Sequence, residues 1–597
     1  MELNRNQGNQ AAFNLIFGLL VLGALVSFAS GHTNPNDFKW IWVAALGALS
    51  LLRLASGAFS GRQVRFDRID LAVLALLAYS VLSLLWSPDP LSGMAFIFKF
   101  FLCTSIFLCL KKTDGDQLFH IISIAIAVSL AFVLLYIPLE VSYMGSFGNT
   151  NLITEYCLMA APFAGGLAFI YRNLAIRWLA VILVAADVYY LLFHNISKIE
   201  FAVIPIVALL AVTVLFWKRA KWSVILTWMA SIIIMSMLVY TRWEGAHGFR
   251  DSIYPRLEFV INTTYMWLDA PLFGHGVGSF LSLWHLYREN YFSWLGATYK
   301  PQTNVWEVLE ATHNEYLQFL ADFGLIGLIV VLLFGWWMLR GVRANKPDPP
   351  AWIGLIAIVV AMVCAAVEFP LQNPATLLLT TIGLAFIARR AQGSFLFDHE
   401  LTRVYRLVLL AGTAIMVCIT GYFTALFYKA ETHYSQAFTS ANPEYAYRQC
   451  VEAYRLSPWN FSYRTNLAIY LYLWAEKTGG RIPVPPEEYD AAFEIGRSAP
   501  STALLFTEAA YLVNSGRYVE KKEEMEKRFA QLRQIASRSP DVWLLYAYYN
   551  VLTNNDQEAN NALAHAQRLS LAALQQGQFA QIQAILAARI SSAKIVP

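Results

Sequence analysis

Charged residues are scarce in this chain: Asp, Glu, Lys and Arg make up 14% of its 597 residues, against 57% that are apolar. Soluble domains carry about 25% charged residues, so the composition excludes a wholly water-soluble protein. Before residue 428, apolar runs of about 17 to 25 residues follow one another, each long enough to cross a hydrocarbon layer about 30 Å thick. We therefore expect a multi-pass membrane protein embedded in a lipid bilayer. The net charge of +4 is small, and no nucleic-acid partner is expected.

Cysteine is also sparse. Five of the six cysteines lie inside apolar runs, where they are expected to behave as small buried hydrophobic residues. Only Cys450 lies in the C-terminal part of the chain, so no disulfide is expected there. The sequence has no C-x-x-C motif, no Cys/His cluster and no Asp/Glu cluster with the spacing of a metal site. We expect no metal and no other cofactor.

Thirteen apolar runs are long enough to form transmembrane helices. They lie near 13–29, 39–56, 70–86, 92–110, 118–139, 152–170, 174–193, 199–217, 222–241, 313–339, 351–369, 374–388 and 404–427. No convincing small-residue cleavage site follows the first run, so we expect a retained helix rather than a signal peptide. The predicted fold is all-α: a polytopic membrane protein with about thirteen transmembrane helices, followed by a helical C-terminal domain.

Basic residues are concentrated in alternate loops, namely those after the second, fourth, sixth, eighth, tenth and twelfth spans. The short loops between them carry only Lys39 and Lys198. Because Lys and Arg are retained on the cytoplasmic side of a membrane, the pattern predicts a cytoplasmic N-terminus, and an odd number of spans places the C-terminus outside. We therefore predict a transmembrane domain at 1–427 with a long outer loop at 242–312, and an outer domain at 428–597.

The C-terminal domain contains amphipathic helical segments. Ala446, Cys450 and Ala453, followed by Pro458, match the spacing of the second helix of a tetratricopeptide repeat, and 559–566 repeats the small residues without the proline. Small residues let two helices approach closely, and proline ends the second helix. A helical-repeat domain is favoured over an unrelated helical bundle. The functional interpretation is a docking surface for a protein partner; the alternative is a cap without a partner.

Polar residues in two of the predicted outer segments are candidates for binding. Asn149 and Asn151, in the segment SFGNTN, offer amide donors and acceptors, with a helix cap and turn as the alternative. In the long outer loop, Arg256 supplies a planar donor fork suited to phosphate, and Gly274 and Gly276 let backbone approach a ligand. These glycines do not follow a strand, so a dinucleotide-binding motif is excluded.

Four ionisable residues on the outer side are further candidates. His313 lies at the mouth of the tenth span, where an imidazole suits a general base; an interfacial histidine that bonds locally is the alternative. Glu368, in the turn after the eleventh span, is placed to pair with His313 or with a cation. Lys198 is the only basic residue of its loop, and Lys99 lies inside the fourth span near its outer end. An ionisable group at membrane depth is a functional candidate, with snorkelling as the alternative for Lys99.

Together these segments resemble the O-antigen ligase and polymerase superfamily, membrane glycosyltransferases that include bacterial protein O-oligosaccharyltransferases. The signature of the superfamily is His-Asn-x-Tyr-Leu-Gln followed by Gly-x-x-Gly, found here at 313–327. Arg256 precedes by fifteen residues the proline of a D-x-P-L-x-G-x-G-x-G-x-F stretch at 269–280. The segments WSPDP at 86–90 and FGNTN at 147–151 also match in type and order.

The resemblance covers about 70–390 and implies a GT-C-like multi-pass fold with a metal-independent reaction. Such proteins take a glycan from undecaprenyl diphosphate on the periplasmic face of the bacterial inner membrane and transfer it to an acceptor hydroxyl. The histidine is implicated in activating the acceptor, here His313 with Glu368 beside it, and basic residues hold the diphosphate. The residues expected to contact the substrates are Arg256, Lys198, Lys99, Asn149, Asn151, Asn314, Tyr316, Gly274 and Gly276.

Two positions depart from the superfamily pattern; the first bears on diphosphate binding and the second on the choice of activity. Lys198 stands where the family often has arginine, which keeps the charge but loses the bidentate fork. Position 311 is Ala, where protein-glycosylating members often carry a second histidine. An O-antigen ligase or polymerase, with lipid A-core or a growing glycan as acceptor, is therefore favoured over a protein O-oligosaccharyltransferase. A transporter without covalent chemistry is the remaining alternative; it predicts an inverted repeat, which we do not find.

Overall fold

The computed structural model describes residues 2–27, 38–61, 63–113, 116–136, 150–193, 206, 221–241, 250–295, 312–344, 348–391, 395–478, 484–569 and 582–585. Helices dominate these ranges, and the one sheet found in them has two short strands, β1 (Gln63–Phe66) and β2 (Phe397–Glu400). The all-α polytopic fold is confirmed.

Fourteen helices precede the C-terminal domain in the described part of the chain. They are α1 (Glu2–Val26), α2 (Lys39–Gly61), α3 (Arg68–Ser83), α4 (Pro90–Lys112), α5 (Gln117–Tyr136), α6 (Thr150–Ile170), α7 (Leu174–Phe193), α8 (Lys221–Thr241), α9 (Arg250–Asp269), α10 (Ser279–Leu295), α11 (Glu315–Ala344), α12 (Pro349–Ala365), α13 (Pro374–Arg390) and α14 (Arg403–Thr439). All except α9 and α10 lie at predicted spans. The eighth predicted span lies outside the described residues, apart from Ile206.

Length and apolarity distinguish the helices that can cross a membrane. Eight of those described are long and apolar enough: α1, α2, α4, α5, α6, α7, α11 and α14. Helix α12 is apolar but shorter. Aromatic and aliphatic side chains of α1, α2, α4, α5, α6, α12 and α13 share one buried core. Gly354 and Gly383 bring α12 and α13 into close contact, because a Cβ at Gly354 would lie 2.6 Å from the carbonyl oxygen of Gly383. This contact lets the two helices pack closely along their length.

Four of the loops predicted to be cytoplasmic meet at one end of the membrane domain. Strands β1 and β2, from the loops after the second and twelfth spans, pair in antiparallel register. Arg389 lies 3.4 Å from Asp116, and Arg390 donates to Asp348 at 2.6 Å. These contacts bring the loops after the fourth and tenth spans to the same end of the membrane domain. The grouping of basic loops expected from the sequence is therefore reproduced by the packing.

The described part of the long outer loop, residues 250–295, is mostly helical. It contains α9 and α10, which pack on each other and on α11. Phe259, Met266, Phe280 and Trp284 form a small buried core between these helices. Neither helix was predicted. Both are too polar to stand out by hydropathy, and their apolar residues pack locally.

The C-terminal domain is built from consecutive helix pairs. Seven helices follow α14: α15 (Pro443–Leu456), α16 (Phe461–Lys477), α17 (Pro486–Arg497), α18 (Thr502–Asn514), α19 (Lys522–Ile535), α20 (Pro540–Leu552) and α21 (Asp556–Leu569). The end of α14 pairs with α15, and three further pairs follow. Ala446, Cys450 and Ala453 are buried on α15, as their spacing predicted. The tetratricopeptide assignment itself stays a prediction.

Helix α14 joins the two parts of the chain. Its 37 residues span about 55 Å at about 1.5 Å per residue, well beyond the thickness of a hydrocarbon layer. The predicted domain boundary at 427–428 falls inside this helix. Its C-terminal end is packed into the C-terminal domain, where Ala430 is buried against Ala453 and Tyr463. The connection between membrane and C-terminal parts is thus a continuous helix.

Candidate active site

One buried carboxylate gathers residues from four separate segments. Glu368 lies in the turn between α12 and α13, at the end of these helices opposite Asp348 and Arg390, and its side chain is fully buried. Its Oε2 lies 2.7 Å from Nδ1 of His313. Its Oε1 accepts a hydrogen bond of 3.0 Å from Nδ2 of Asn151 and a second from Nη2 of Arg256. Glu368, expected to pair with His313 or with a cation, therefore contacts both.

The contact with Glu368 determines the proton positions on the His313 ring. An ionised carboxylate only accepts hydrogen bonds, so Nδ1 carries a proton and donates it. In the neutral imidazole, Nε2 is then the unprotonated nitrogen. The side chain of His313 is 26% exposed, whereas Glu368 is inaccessible. The arrangement presents a base nitrogen on a ring whose other nitrogen is held by a buried anion.

The ring and backbone of His313 are both constrained. The ring stacks on Phe259 with centroids 5.1 Å apart and meets the edge of Phe369 at 5.0 Å. The backbone adopts φ +52°, a left-handed conformation that non-glycine residues seldom occupy and that is concentrated at functional sites. The position of the imidazole is therefore imposed by its surroundings.

Asn314 and Tyr316 attach the start of α11 to α12. The Asn314 side chain accepts a 3.0 Å bond from the backbone N–H of Leu317, which caps α11, and donates to the carbonyl oxygen of Ala366 at 3.0 Å. The Tyr316 hydroxyl donates to the carbonyl oxygen of Met362 at 2.7 Å. These bonds hold His313 next to Glu368. The substrate contacts expected of Asn314 and Tyr316 stay predictions.

Arg256, on α9, orients the turn that carries Glu368. Its Nε donates to the carbonyl oxygen of Val367 at 3.2 Å, and its Nη2 contacts Glu368. The side chain is 27% exposed. The sequence indicated a phosphate-binding fork here; the structure adds a positioning role that its spacing did not suggest.

Two other histidines in the described part of the outer loop have different surroundings. Nε2 of His275 lies 2.8 Å from the carbonyl oxygen of Met266. His285 is buried on α10, and this burial lowers the pKa of its imidazole to about 4, so it is neutral at pH 7. Both belong to the packing of α9 and α10. His313 is distinguished from them by its contact with a carboxylate.

The glycine loop at 271–278 is locked into a break in α11. The helix is interrupted at Gly324, which has φ +62° and ψ −166°. Backbone groups around this break bond the loop: His275 donates to Ala321 at 2.8 Å, Gly276 to Asp322 at 2.9 Å, Leu325 to Pro271 at 2.9 Å and Ile326 to Leu272 at 3.1 Å. These backbone N–H and C=O groups are therefore paired with the loop, so the break does not leave them unsatisfied. It also ties the D-x-P-L-x-G segment to the helix that begins beside His313.

The glycines of this loop permit close contact with other backbone. Gly274 and Gly276 have φ +68° and +94°. A Cβ at Gly274 would lie 2.4 Å from the carbonyl oxygen of Asp322, and one at Gly276 would lie 2.7 Å from that of Ser83. Packing thus accounts for both glycines without a ligand. Their expected contact with substrate stays a prediction.

The remaining predicted binding residues lie apart from Glu368 or outside the described structure. Nζ of Lys99, on α4, lies 4.7 Å from the ring centroid of Trp40 on α2. Lys198 and Asn149 lie outside the described residues. In the described ranges, no group of three or more His, Cys, Asp or Glu side chains is arranged to hold a metal ion.

Two buried carboxyl groups close to the cluster were missed in the sequence. Glu315, the first residue of α11, accepts a 2.8 Å bond from the backbone N–H of Leu371. Glu155 is fully buried on α6, in the same region as Glu315 and Glu368. A carboxylate inside an apolar run was the available signal for Glu155, because ionisable groups at membrane depth are rare.

Residues 179–332 match the family model described as O-antigen ligase. This match supports the resemblance to the O-antigen ligase and polymerase superfamily. The matched region contains Arg256, the glycine loop, the break in α11 and His313, whereas Asn151 and Glu368 lie on either side of it. The family indicates membrane glycan transfer of the ligase or polymerase type. No curated protein matches the chain.

Proposed function

We propose that this protein is a metal-independent membrane glycosyltransferase that moves a glycan from undecaprenyl diphosphate to an acceptor hydroxyl, as an O-antigen ligase or polymerase. The observation that supports this proposal best is the 2.7 Å contact between Nδ1 of His313 and buried Glu368. It leaves Nε2 as a base beside the outer loop of a membrane protein. A histidine oriented by a buried carboxylate is a recurrent general base in group transfer.

In the proposed reaction, the acceptor oxygen attacks the anomeric carbon of the lipid-linked sugar. Nε2 of His313 takes the hydroxyl proton as the new C–O bond forms. The bond between the anomeric carbon and the diphosphate oxygen breaks, and its electron pair leaves with undecaprenyl diphosphate. Glu368 stabilises the imidazolium that results, because the carboxylate faces its Nδ1 proton.

The leaving diphosphate requires fixed positive charge near the membrane surface. Arg256 is the proposed contact because its side chain is partly exposed and its guanidinium lies beside Glu368. Lys198 and Lys99 are proposed to add charge. We further propose that this end of the membrane domain faces the periplasm, with the N-terminus in the cytoplasm of a bacterial inner-membrane protein.

Purified protein in proteoliposomes, given undecaprenyl-diphosphate-linked glycan and an acceptor, tests the proposal. His313→Ala is expected to lower the transfer rate by about 10²–10⁴-fold, the usual contribution of a general base. His399→Ala is the matched control, because His399 lies on β2 at the other end of the membrane domain. Transfer by His313→Ala at the wild-type rate would rule out the assignment of the base.

Mass spectrometry of the products distinguishes the acceptors. Glycan on lipid A-core identifies a ligase, and lengthened lipid-linked glycan identifies a polymerase. Glycan on a protein would favour a protein O-oligosaccharyltransferase instead. Movement of the lipid-linked glycan across the bilayer without any new glycosidic bond would replace the proposed chemistry with transport.

A further inference from the structure

A buried ion pair joins the C-terminal domain to the membrane domain. Arg464, on α16, is 1% exposed, and Asp89, in the turn between α3 and α4, is also 1% exposed. Nη2 of Arg464 donates to both carboxylate oxygens of Asp89, at 2.9 and 2.8 Å, and to Oγ of Ser92 at 2.8 Å. Nη1 donates to the carbonyl oxygen of Ser498 at 2.6 Å. The two partners are 375 positions apart in the chain.

Burying the two charges of such a pair costs free energy, because both lose their contact with water. Removal of one partner leaves an uncompensated charge out of water, whereas a pair of neutral residues of similar size is often tolerated. A domain that served only as a loosely attached docking module would not need this contact. The pair therefore points to a fixed relation between the C-terminal domain and the turn at 86–90.

The turn at 86–90 also supports the glycine loop. Asp89 caps α4 by accepting from the backbone N–H of Ser92 at 3.2 Å. The Ser87 hydroxyl donates to the carbonyl oxygen of Val277 at 2.9 Å, and the N–H of Val277 donates to Oγ of Ser83 at 3.1 Å. The glycine loop therefore contacts the α3–α4 turn on one side and the break in α11 on the other. Helix α11 begins two residues after His313.

Two further contacts keep the C-terminal domain over this end of the membrane domain. Trp459, which precedes α16, packs on Phe423 of α14 with ring centroids 5.0 Å apart, and Phe423 lies 6.1 Å from Phe98 of α4. Helix α19 packs against α10 of the outer loop. The C-terminal domain thus adjoins both the turn and the outer loop that build the candidate active site.

We propose that the C-terminal domain is an integral part of the transfer unit and that Arg464 is a positioning residue for His313. Arg464 holds Asp89 and the 86–90 turn, and the turn holds the glycine loop. The loop in its place holds α11 at the break around Gly324, and the part of α11 before the break follows directly after His313. This inference rests on the proposed glycan transfer. It assigns the C-terminal domain a role inside the reaction, in place of a docking surface alone.

A double-mutant cycle with Arg464→Met and Asp89→Asn tests the proposal in the reconstituted assay. Arg464→Met is expected to lower kcat roughly tenfold to hundredfold, the effect of misplacing a catalytic group by about 1 Å, while KM for the acceptor stays near the wild-type value. The double variant is expected to lose no more than the worse single variant, because the two side chains act as one unit. Arg464→Lys is expected to recover part of the rate, since an ammonium reaches the same oxygens.

Arg517→Met is the matched control. It also removes a paired arginine of the C-terminal domain, but Arg517 bonds Asp490 at 3.0 Å within that domain. Its kcat is expected to equal that of the wild type. Hydrogen–deuterium exchange without substrates provides the second readout. Arg464→Met, and not Arg517→Met, is expected to raise exchange at 86–90, 271–278 and 315–323.

The outcomes separate this inference from the proposed function. An unchanged kcat in Arg464→Met, or a raised acceptor KM with unchanged kcat, would overturn the positioning role, the latter in favour of acceptor docking. Absence of transfer by the wild-type protein would refute the proposed function, while the exchange pattern would still show whether the contact holds the turn and loop. If Arg464→Met does not fold, the neutral double variant and Arg464→Lys carry the same comparison.

Discussion

At the scale of single residues, Glu368 explains why the polar residues of the outer loops are there. Its two carboxylate oxygens accept from His313, Asn151 and Arg256, which come from three different segments of the chain. The Arg256 guanidinium balances the buried charge and the Asn151 amide donates a hydrogen bond to it, as a buried carboxylate requires. The oxygen that remains faces the imidazole. In the proposed reaction, His313 acts on the substrate and Glu368 holds it in place.

Glu368→Gln tests this division of roles. The amide keeps the shape of the side chain, but its NH₂ group must face one of the donors that now bond the carboxylate. We expect the rate of glycan transfer to fall by about 10²–10⁴-fold because the imidazole loses the orientation and tautomer that the anion imposes.

The control for Glu368→Gln is Glu155→Gln, which also removes one fully buried carboxylate but at a side chain with no bond to His313 among the described contacts. Its transfer rate is expected to stay close to that of the wild type. Equal losses in the two variants, measured as initial rates at saturating donor, would show that buried carboxyl groups in this region in general, and not the contact with His313, sustain transfer.

At the scale of elements, the break in α11 is the feature on which the site depends. A helix interrupted at Gly324 exposes carbonyl and N–H groups, and the glycine loop bonds them. This interlock joins Gly324 of the Gly-x-x-Gly pair to the D-x-P-L-x-G-x-G segment. The two motifs thus meet in a single backbone contact.

Gly324→Ala is expected to separate the two elements. A Cβ there would lie 2.4 Å from the carbonyl oxygen of Leu272 and 2.5 Å from the backbone nitrogen of Gly274. The φ of +62° adds about 1–3 kcal/mol of strain for a residue with a side chain. We expect a lower melting temperature and a large loss of transfer activity.

Gly335→Ala, in the same helix, is the matched control for Gly324→Ala. A Cβ at Gly335 meets no atom within 4 Å, and alanine is the better helix former by about 1 kcal/mol. Its melting temperature is expected to be unchanged or slightly raised. A Gly324→Ala protein as stable and active as Gly335→Ala would contradict the importance of the interlock.

At the scale of the whole molecule, the contacts divide the membrane domain into two ends. Strands β1 and β2 and the ion pairs of Arg389 and Arg390 gather the basic loops at one end. Glu368, His313, Asp89 and the C-terminal domain lie at the other. This division agrees with the alternation of basic residues along the sequence. Because the two ends are distinct, determining which end faces the periplasm fixes the proposed orientation of the whole protein.

Labelling of introduced thiols answers that question. We expect Arg448→Cys, whose side chain position is 69% exposed on α15, to react with a membrane-impermeant maleimide in intact spheroplasts. His399→Cys on β2 is expected to react only after the membrane is permeabilised. The background protein carries Cys418→Ser, because Cys418 is the exposed one among the native cysteines, all six of which are described. Reaction of both introduced thiols in intact spheroplasts would refute the orientation.

Hydropathy, charge alternation and polar loop motifs determined much of this protein without a structure. They indicated the helical membrane fold, twelve of the helices seen at predicted spans, and His313, Arg256, Asn151 and Glu368 as candidates. These features are local, because an apolar run inserts into the membrane and a basic loop sets the sidedness regardless of how the helices pack. The sequence could not indicate helices as polar as α9 and α10.

Only the tertiary structure decided how the candidates are used. It placed His313, Arg256 and Asn151 on one carboxylate, showed that the glycines serve a backbone interlock, and joined Arg464 to Asp89 across 375 positions. Such contacts depend on which faces of distant helices meet, and no spacing along the chain encodes that pairing. The membrane fold can therefore be predicted from the sequence, whereas the arrangement of the site depends on how distant helices pack.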